Sequence, residues 1–195
     1  GEDHGRDIPR PAAGVGPLGR AGDFRVTGFP LLVHRRCESP MFEISNRIAY
    51  ADRMVHATVP ASSAIRDVMG PSAWVHVEAP SADKWVAEEG YLVDRAIGAL
   101  SQHLAAAPDI YVISPFRIPA RNLQNLLGEG DDAEPGFGAG RPSLAGRVGT
   151  VHSFQGKEAE SVILVLGAGR GAKPGSRKWA AGTPNLLNVA ATRAK

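Results

Sequence analysis

The chain has 195 residues, 43% apolar and 22% charged, with a net charge of +2. That make-up suits one soluble domain with its own core, and no global field forces a nucleic-acid or membrane reading. No apolar run approaches the roughly 20 residues of a bilayer span, and no basic-then-apolar leader opens the chain, so a cytoplasmic location without a membrane partner is expected.

Residues 1–22 are rich in Gly, Pro and Arg and read as a flexible lead-in, leaving 23–195 as the domain. FPLLV (29–33) reads as a short buried strand. Ser39-Pro40 then predicts a capped helix start, with Phe42, Ile44, Ile48 and Ala49 as its apolar side. WVHV (74–77) predicts a second strand, and the three- and four-residue spacing of Leu92, Val93, Ala96, Ile97, Leu100 and Leu104 predicts a helix from about Asp83 to Ala106. IYVIS (110–114) is a strand, 117–127 a short helix, and 128–142 a turn-rich loop. RVGTV (147–151) and SVILVL (161–166) are strands, the second apolar enough to be covered on both faces. A Gly-rich basic loop follows at 167–182, and Thr183-Pro184 opens a helix to the end of the chain. The chain starts at Gly1 and stops at Lys195 inside that helix, so it reads as part of a longer protein. Strands alternating with helices predict an α/β domain, a parallel sheet with helices on both faces.

The single cysteine, Cys37, excludes an internal disulfide and suits a reducing compartment. His34 lies three residues before it without a second ligand pair, so no metal site is expected. In the Gly-rich loop, Arg170, Lys173, Arg177 and Lys178 read either as a backbone-contacting patch or as a solvated loop. That loop has no G-x-x-x-x-G-K-[ST] spacing, and no Walker A motif occurs anywhere in the chain.

Ligands of parallel α/β sheets bind beyond the carboxyl ends of the strands. Three stretches there are unusual. In ISPFR (113–117), Ser114 and the backbone before a helix make a phosphate seat, or simply a capped turn. In TVHSFQGKE (150–158), Thr150, His152 and Ser153 leave the sheet, and Gly156 lets a ligand come close; an ordinary strand–turn–strand link is the plainer account. In NVAATRAK (188–195), Arg193 stands among alanines, either solvated or presented to a phosphate.

Taken together and in order, these stretches resemble a known family. TVHSFQGKEAESVI followed by LNVAATRAK resembles motifs V and VI of superfamily 1 helicases, nearest to the branch of the nonsense-mediated-decay RNA helicase. VISPFR resembles that branch's motif IV, and LLVHRRCESPMFEISNRIAY its segment opening the second RecA-like domain. The resemblance implies the second RecA-like motor domain of an ATP-driven helicase, a P-loop-NTPase-type sheet without its own Walker A. In such enzymes ATP and Mg2+ are held mainly by a first RecA-like domain, which would be this chain's partner along with single-stranded DNA or RNA. By position Arg193 resembles the motif VI arginine finger and Arg36 the finger after the first strand, with Arg35 as the rival for that role. Glu158 matches the motif V acid directed at the nucleotide, with Gly156 and Lys157 beside it. Thr150, Ser153 and Gln155, with Ser114 and Pro115 of motif IV, match positions near the nucleic-acid backbone. The chain departs from the family where a tyrosine often precedes the first arginine, having Arg35 there, and in Cys37-Glu38-Ser39-Pro40, one residue longer than the usual Met-His-Pro. Ala- and Arg-rich usage suits a bacterial protein. The alternative is a degenerate RecA-like module that binds nucleic acid or protein without ATPase activity.

Overall fold

The computed structural model describes residues 32–59, 61–128, 143–172, 175, 178 and 184–195. The expected lead-in, residues 29–31 of FPLLV, nearly all of the 128–142 loop, and Lys173, Arg177 and Thr183 lie outside the described residues; Leu32 and Val33 are exposed, not buried as expected of that strand.

The core of the fold is a three-stranded parallel sheet. Its centre is β3 (Ile110–Ser114), flanked by β4 (Val148–Thr150) on one side and β5 (Ser161–Leu164) on the other. Val112 pairs with Val148 and Ile163, and Ser114 with Thr150, so the carboxyl ends of the strands lie level. A separate two-stranded parallel sheet joins β1 (Val33–His34) to β2 (Val55–His56). The helices are α1 (Met41–Ala49), α2 (Ala64–Met69), α3 (Ala87–His103), α4 (Arg117–Leu126) and α5 (Pro184–Ala191).

The two-residue period of β3 sorts its side chains between two cores. Ile110 and Val112 join Ile65 of α2, Val93, Ile97 and Leu100 of α3, and Leu123 of α4. Tyr111 and Ile113 face the other way, onto Phe154 and onto Leu186 and Ala190 of α5. In β5, Ile163 packs with the first core and Val162 and Leu164 with the second. The sheet is therefore covered on both faces, the α/β RecA-like arrangement that the alternation of elements predicts. Side chains buried as fully as Ile97, Leu100 and Leu123 contribute about 1.5–3 kcal/mol each relative to exposure. Among the described residues no helix is long and apolar enough to cross a membrane.

Several expectations need correction. WVHV (74–77) forms no strand, and Trp74 and Val75 are 73% and 68% exposed. The long helix starts at Ala87, not near Asp83. Asp83 and Lys84 take left-handed conformations (φ 48° and 66°) in a tight turn whose ends, Ala82 and Trp85, bond to each other, which no helix accommodates. Ser39 does not cap α1 but donates its hydroxyl to the Glu43 carboxylate. The side of α1 that is buried carries Phe42, Ser45 and Asn46, while Ile44 is exposed. The reason is α5: the Ser45 hydroxyl donates to Asn188 Oδ1 at 2.5 Å, so a polar pair holds the two helices together. The strand β2 and helix α2 were not legible in the pattern; each is too short to show a period.

Candidate functional site: an ionic junction beside a cationic groove

Arg35 and Arg36 lie in the turn that leaves β1. Inside that turn the His34 ring, itself buried, accepts the Cys37 backbone N–H on Nε2 at 3.1 Å and lies 3.0 Å from Cys37 Sγ. Burial, and then the nearby His56 and Arg36 charges, lower the His34 pKa, which suits a neutral ring whose proton is assigned to Nδ1. Burial likewise pushes the Cys37 thiol up to about 11, so it remains a neutral packing group. The closed turn leaves both arginines at the surface.

The stretch after β4 is a 3₁₀ turn, Val151–Phe154. Thr150 and Ser153 bond reciprocally: Thr150 Oγ1 accepts the Ser153 N–H at 3.3 Å, and Ser153 Oγ accepts the Thr150 N–H at 3.0 Å. Phe154, 2% exposed, anchors the turn against Tyr111, ring centroids 4.4 Å apart. Gly156 then takes φ +85°, a conformation that L side chains rarely adopt, with open space where a Cβ would stand. This reversal returns the chain to Ala159, whose N–H bonds to Arg193 O at 3.0 Å while its own carbonyl accepts Lys195 N–H at 3.0 Å.

That short ladder overturns the picture of Arg193 on a helix. Helix α5 ends at Ala191, and residues 192–195 leave it to pair with Ala159. Arg193 is 4% exposed. Its Nε donates to Val189 O at 3.0 Å and its Nη1 to Lys157 O at 2.9 Å, with Nη2 3.4 Å from Thr192 Oγ1. Burial draws its pKa down, Arg36 adds to that, and Glu158 opposes it. An arginine still keeps its proton in such a place. Across the turn, Arg36 Nε lies 2.6 Å from Glu158 Oε1. Arg36 and Glu158, distant in sequence, are thus an ion pair whose two charges are both felt at the buried Arg193.

On the other side of the 150–158 turn lies a groove of about 370 Å³. Thr150, Ser153 and Lys157 line it from the turn, and Arg117, Arg121 and Gln124 from α4. The Gln124 side chain donates to Val148 O at 2.9 Å and so pins α4 to β4. The Lys157 ammonium lies over the Phe154 ring, 5.1 Å from its centroid. Lys157 therefore touches both places, its carbonyl on Arg193 and its side chain in the groove.

The candidate residues separate accordingly. Arg36, Glu158, Arg193 and Lys157 come together, and Arg35 stays outside the cluster as an exposed neighbour. Thr150 and Ser153 line the groove, whereas Gln155 and Gly156 are exposed on the turn. Ser114 and Pro115 are buried, and the Ser114 hydroxyl accepts the Phe116 N–H at 3.3 Å, so neither presents a surface to a strand in this chain. Arg117, Arg121 and Gln124 were missed; an Arg pair four apart in RIPARNLQ was the available signal. Among the described residues no group of three or more His, Cys, Asp or Glu is placed to hold a metal.

The profile of the family described as AAA domain matches residues 31–195. The chain belongs to that family. It is a superfamily 1 helicase-like domain, of a nucleotide-binding helicase motor-domain family. A search of the curated proteins returned no match.

Proposed function

We propose that this domain is the second motor domain of an ATP-dependent superfamily 1 helicase of the nonsense-mediated-decay type, acting on single-stranded DNA or RNA. The observation that carries this reading is the ionic junction itself. Arg36 is ion-paired with Glu158, and the charges of both reach the buried Arg193, leaving one positive charge in excess where the 150–158 turn leads into β5. Like charges held together favour an anion, and planar guanidiniums suit phosphoryl oxygens. The donor set therefore fits the phosphates of ATP. It does not fit Mg2+, whose ligands would come from the first RecA-like domain. Bound there, ATP supplies a transferable γ-phosphoryl group whose departure releases the free energy of the cycle.

In this reading Arg36 turns from Glu158 towards the phosphate, and Glu158 becomes free to accept a ribose hydroxyl. Arg193, oriented by the carbonyls of Val189 and Lys157, stabilises charge on the phosphoryl oxygens. Domain closure follows these contacts, and their loss reopens the cleft. One observation favours the second reading, a RecA-like module without ATPase activity: Arg193 is buried and bonded within the chain. The test is ATP hydrolysis by the full-length protein with single-stranded DNA or RNA supplied in turn. Arg193→Ala is expected to lower the stimulated kcat by ~10³-fold or more. Stimulated hydrolysis unaffected by that change excludes the finger role, whereas no hydrolysis by the unaltered full-length protein with either strand leaves the module.

A further inference from the structure

Arg36 and Arg193 belong to parts of the molecule that no shared sheet joins. Arg36 leaves β1 of the two-stranded sheet and precedes α1, whereas Arg193 follows α5, which packs on the three-stranded sheet. The placement of one guanidinium relative to the other therefore depends on how α1 sits against α5, the helix it packs on. At that contact Ser45, 1% exposed, donates its hydroxyl to Asn188 Oδ1. Among the described residues no other hydrogen bond joins the two helices.

The bonding continues from both ends of this pair. The Asn188 carbonyl accepts the Thr192 hydroxyl at 2.8 Å, and Thr192 Oγ1, itself buried, lies 3.4 Å from Arg193 Nη2. On the other side Asn46, the neighbour of Ser45, bonds both the N–H and the carbonyl of Met54, at 2.9 and 3.1 Å, just before β2. A polar line thus runs from the sheet that carries Arg36, through α1 and α5, to the guanidinium of Arg193. Paired polar groups in a helix contact are worth little more than apolar groups of the same shape; what they add is a fixed register.

We propose that Ser45, Asn188 and Thr192 are positioning residues, which lock α1 to α5 and hold the Arg193 guanidinium in place relative to Arg36. The inference rests on the motor reading above and deepens it. Its effect is transmitted through Arg193 and needs no contact between the three side chains and ATP.

The experiment is steady-state ATP hydrolysis by the full-length protein with single-stranded DNA or RNA present, and thermal melting of every variant. Ser45→Ala and Asn188→Ala are each expected to lower kcat by ~10–100-fold, the effect of displacing a reacting group by on the order of 1 Å. The KM for ATP is expected to change by less than about threefold, the split of an interaction that matters in the transition state. The double variant is expected to match the worse single one, because both remove the same bond. Thr192→Val keeps the shape, loses the hydroxyl and is expected to lower kcat likewise; Thr192→Ser keeps the hydroxyl and is expected to restore it. Should an Ala variant fail to fold, the two Thr192 variants decide. Equal activity in Thr192→Val and Thr192→Ser, or losses that only track the loss of folded protein, overturn the positioning role. Unchanged kcat in both Ala variants while Arg193→Ala is impaired overturns it too and leaves the motor reading standing. No stimulated hydrolysis by the unaltered protein overturns both.

Discussion

The molecule holds arginine in two opposite ways within a few residues of one turn. At the junction, Arg193 is buried and its N–H groups are engaged by carbonyls, while Arg36 is tied to Glu158. In the groove, Arg117 and Arg121 are exposed, without an ion-pair partner among the described residues, at the wrong end of a helix dipole. The first arrangement fixes where a charge will be; the second leaves charge available. Orientation matters for stabilising one phosphoryl group, whereas a sliding strand needs contacts that form and release without reorganising the protein.

If that contrast is right, the largest effect belongs to Arg193→Ala. Beyond the ~10³-fold loss of stimulated kcat, it strips Lys157 O and Val189 O of a donor, at a cost of about 1–3 kcal/mol. Denaturant unfolding measures the second effect separately. A full stability loss with normal ATP turnover would make the buried arginine a structural pin and end the contrast.

Gly149→Ala comes next and tests the floor of the groove. A Cβ there would stand 2.8 Å from Ser153 Oγ and 3.0 Å from Phe154 Cε2, the two residues that fix the turn. Overpacking of this sort costs about 1–3 kcal/mol, expected as a lower denaturant midpoint with an unchanged m value. An undisturbed midpoint would mean the turn yields easily and holds neither site in place.

Much of this was legible in the sequence. The continuous apolar run of SVILVL announced a strand covered on both faces, and IYVIS announced the central strand. What stayed hidden depended on partners. Trp74 and Val75 have a strand's composition but no strand beside them. Ser114 looked like a surface hydroxyl because a sequence does not show that Phe116 would take it as an acceptor. Arg193 looked helical because Ala159, which draws the chain off α5, is 34 residues away.

A smaller stability effect, with a distinct functional one, is expected at Glu158→Gln. The ion pair with Arg36 is partly exposed, side chains 43% and 32% accessible, so its loss costs under about 1 kcal/mol. The KM for ATP is expected to rise by about tenfold, the equivalent of one charge-assisted hydrogen bond. Gly156→Ala is the counterpart: its φ of +85° disfavours a side chain, so the turn should shift and strand binding weaken. If Glu158→Gln weakened strand binding instead, the two sides of the turn would not be separate sites.

The smallest effect has the opposite sign. Removing the charge of Arg117 at the start of α4 relieves its repulsion from the helix dipole, so Arg117→Gln is expected to stabilise the fold by about 0.3–0.5 kcal/mol. In a domain of this size that is a rise of about 1–2 °C in Tm. Salt screens an exposed charge, so the gain should shrink as ionic strength rises. The same variant is expected to bind single strands less tightly. Stability gained together with binding lost is the signature of a charge kept for a ligand and not for the fold. A loss of stability on neutralising Arg117 would instead show that the arginine has a partner within the folded protein, and the two classes of arginine would become one.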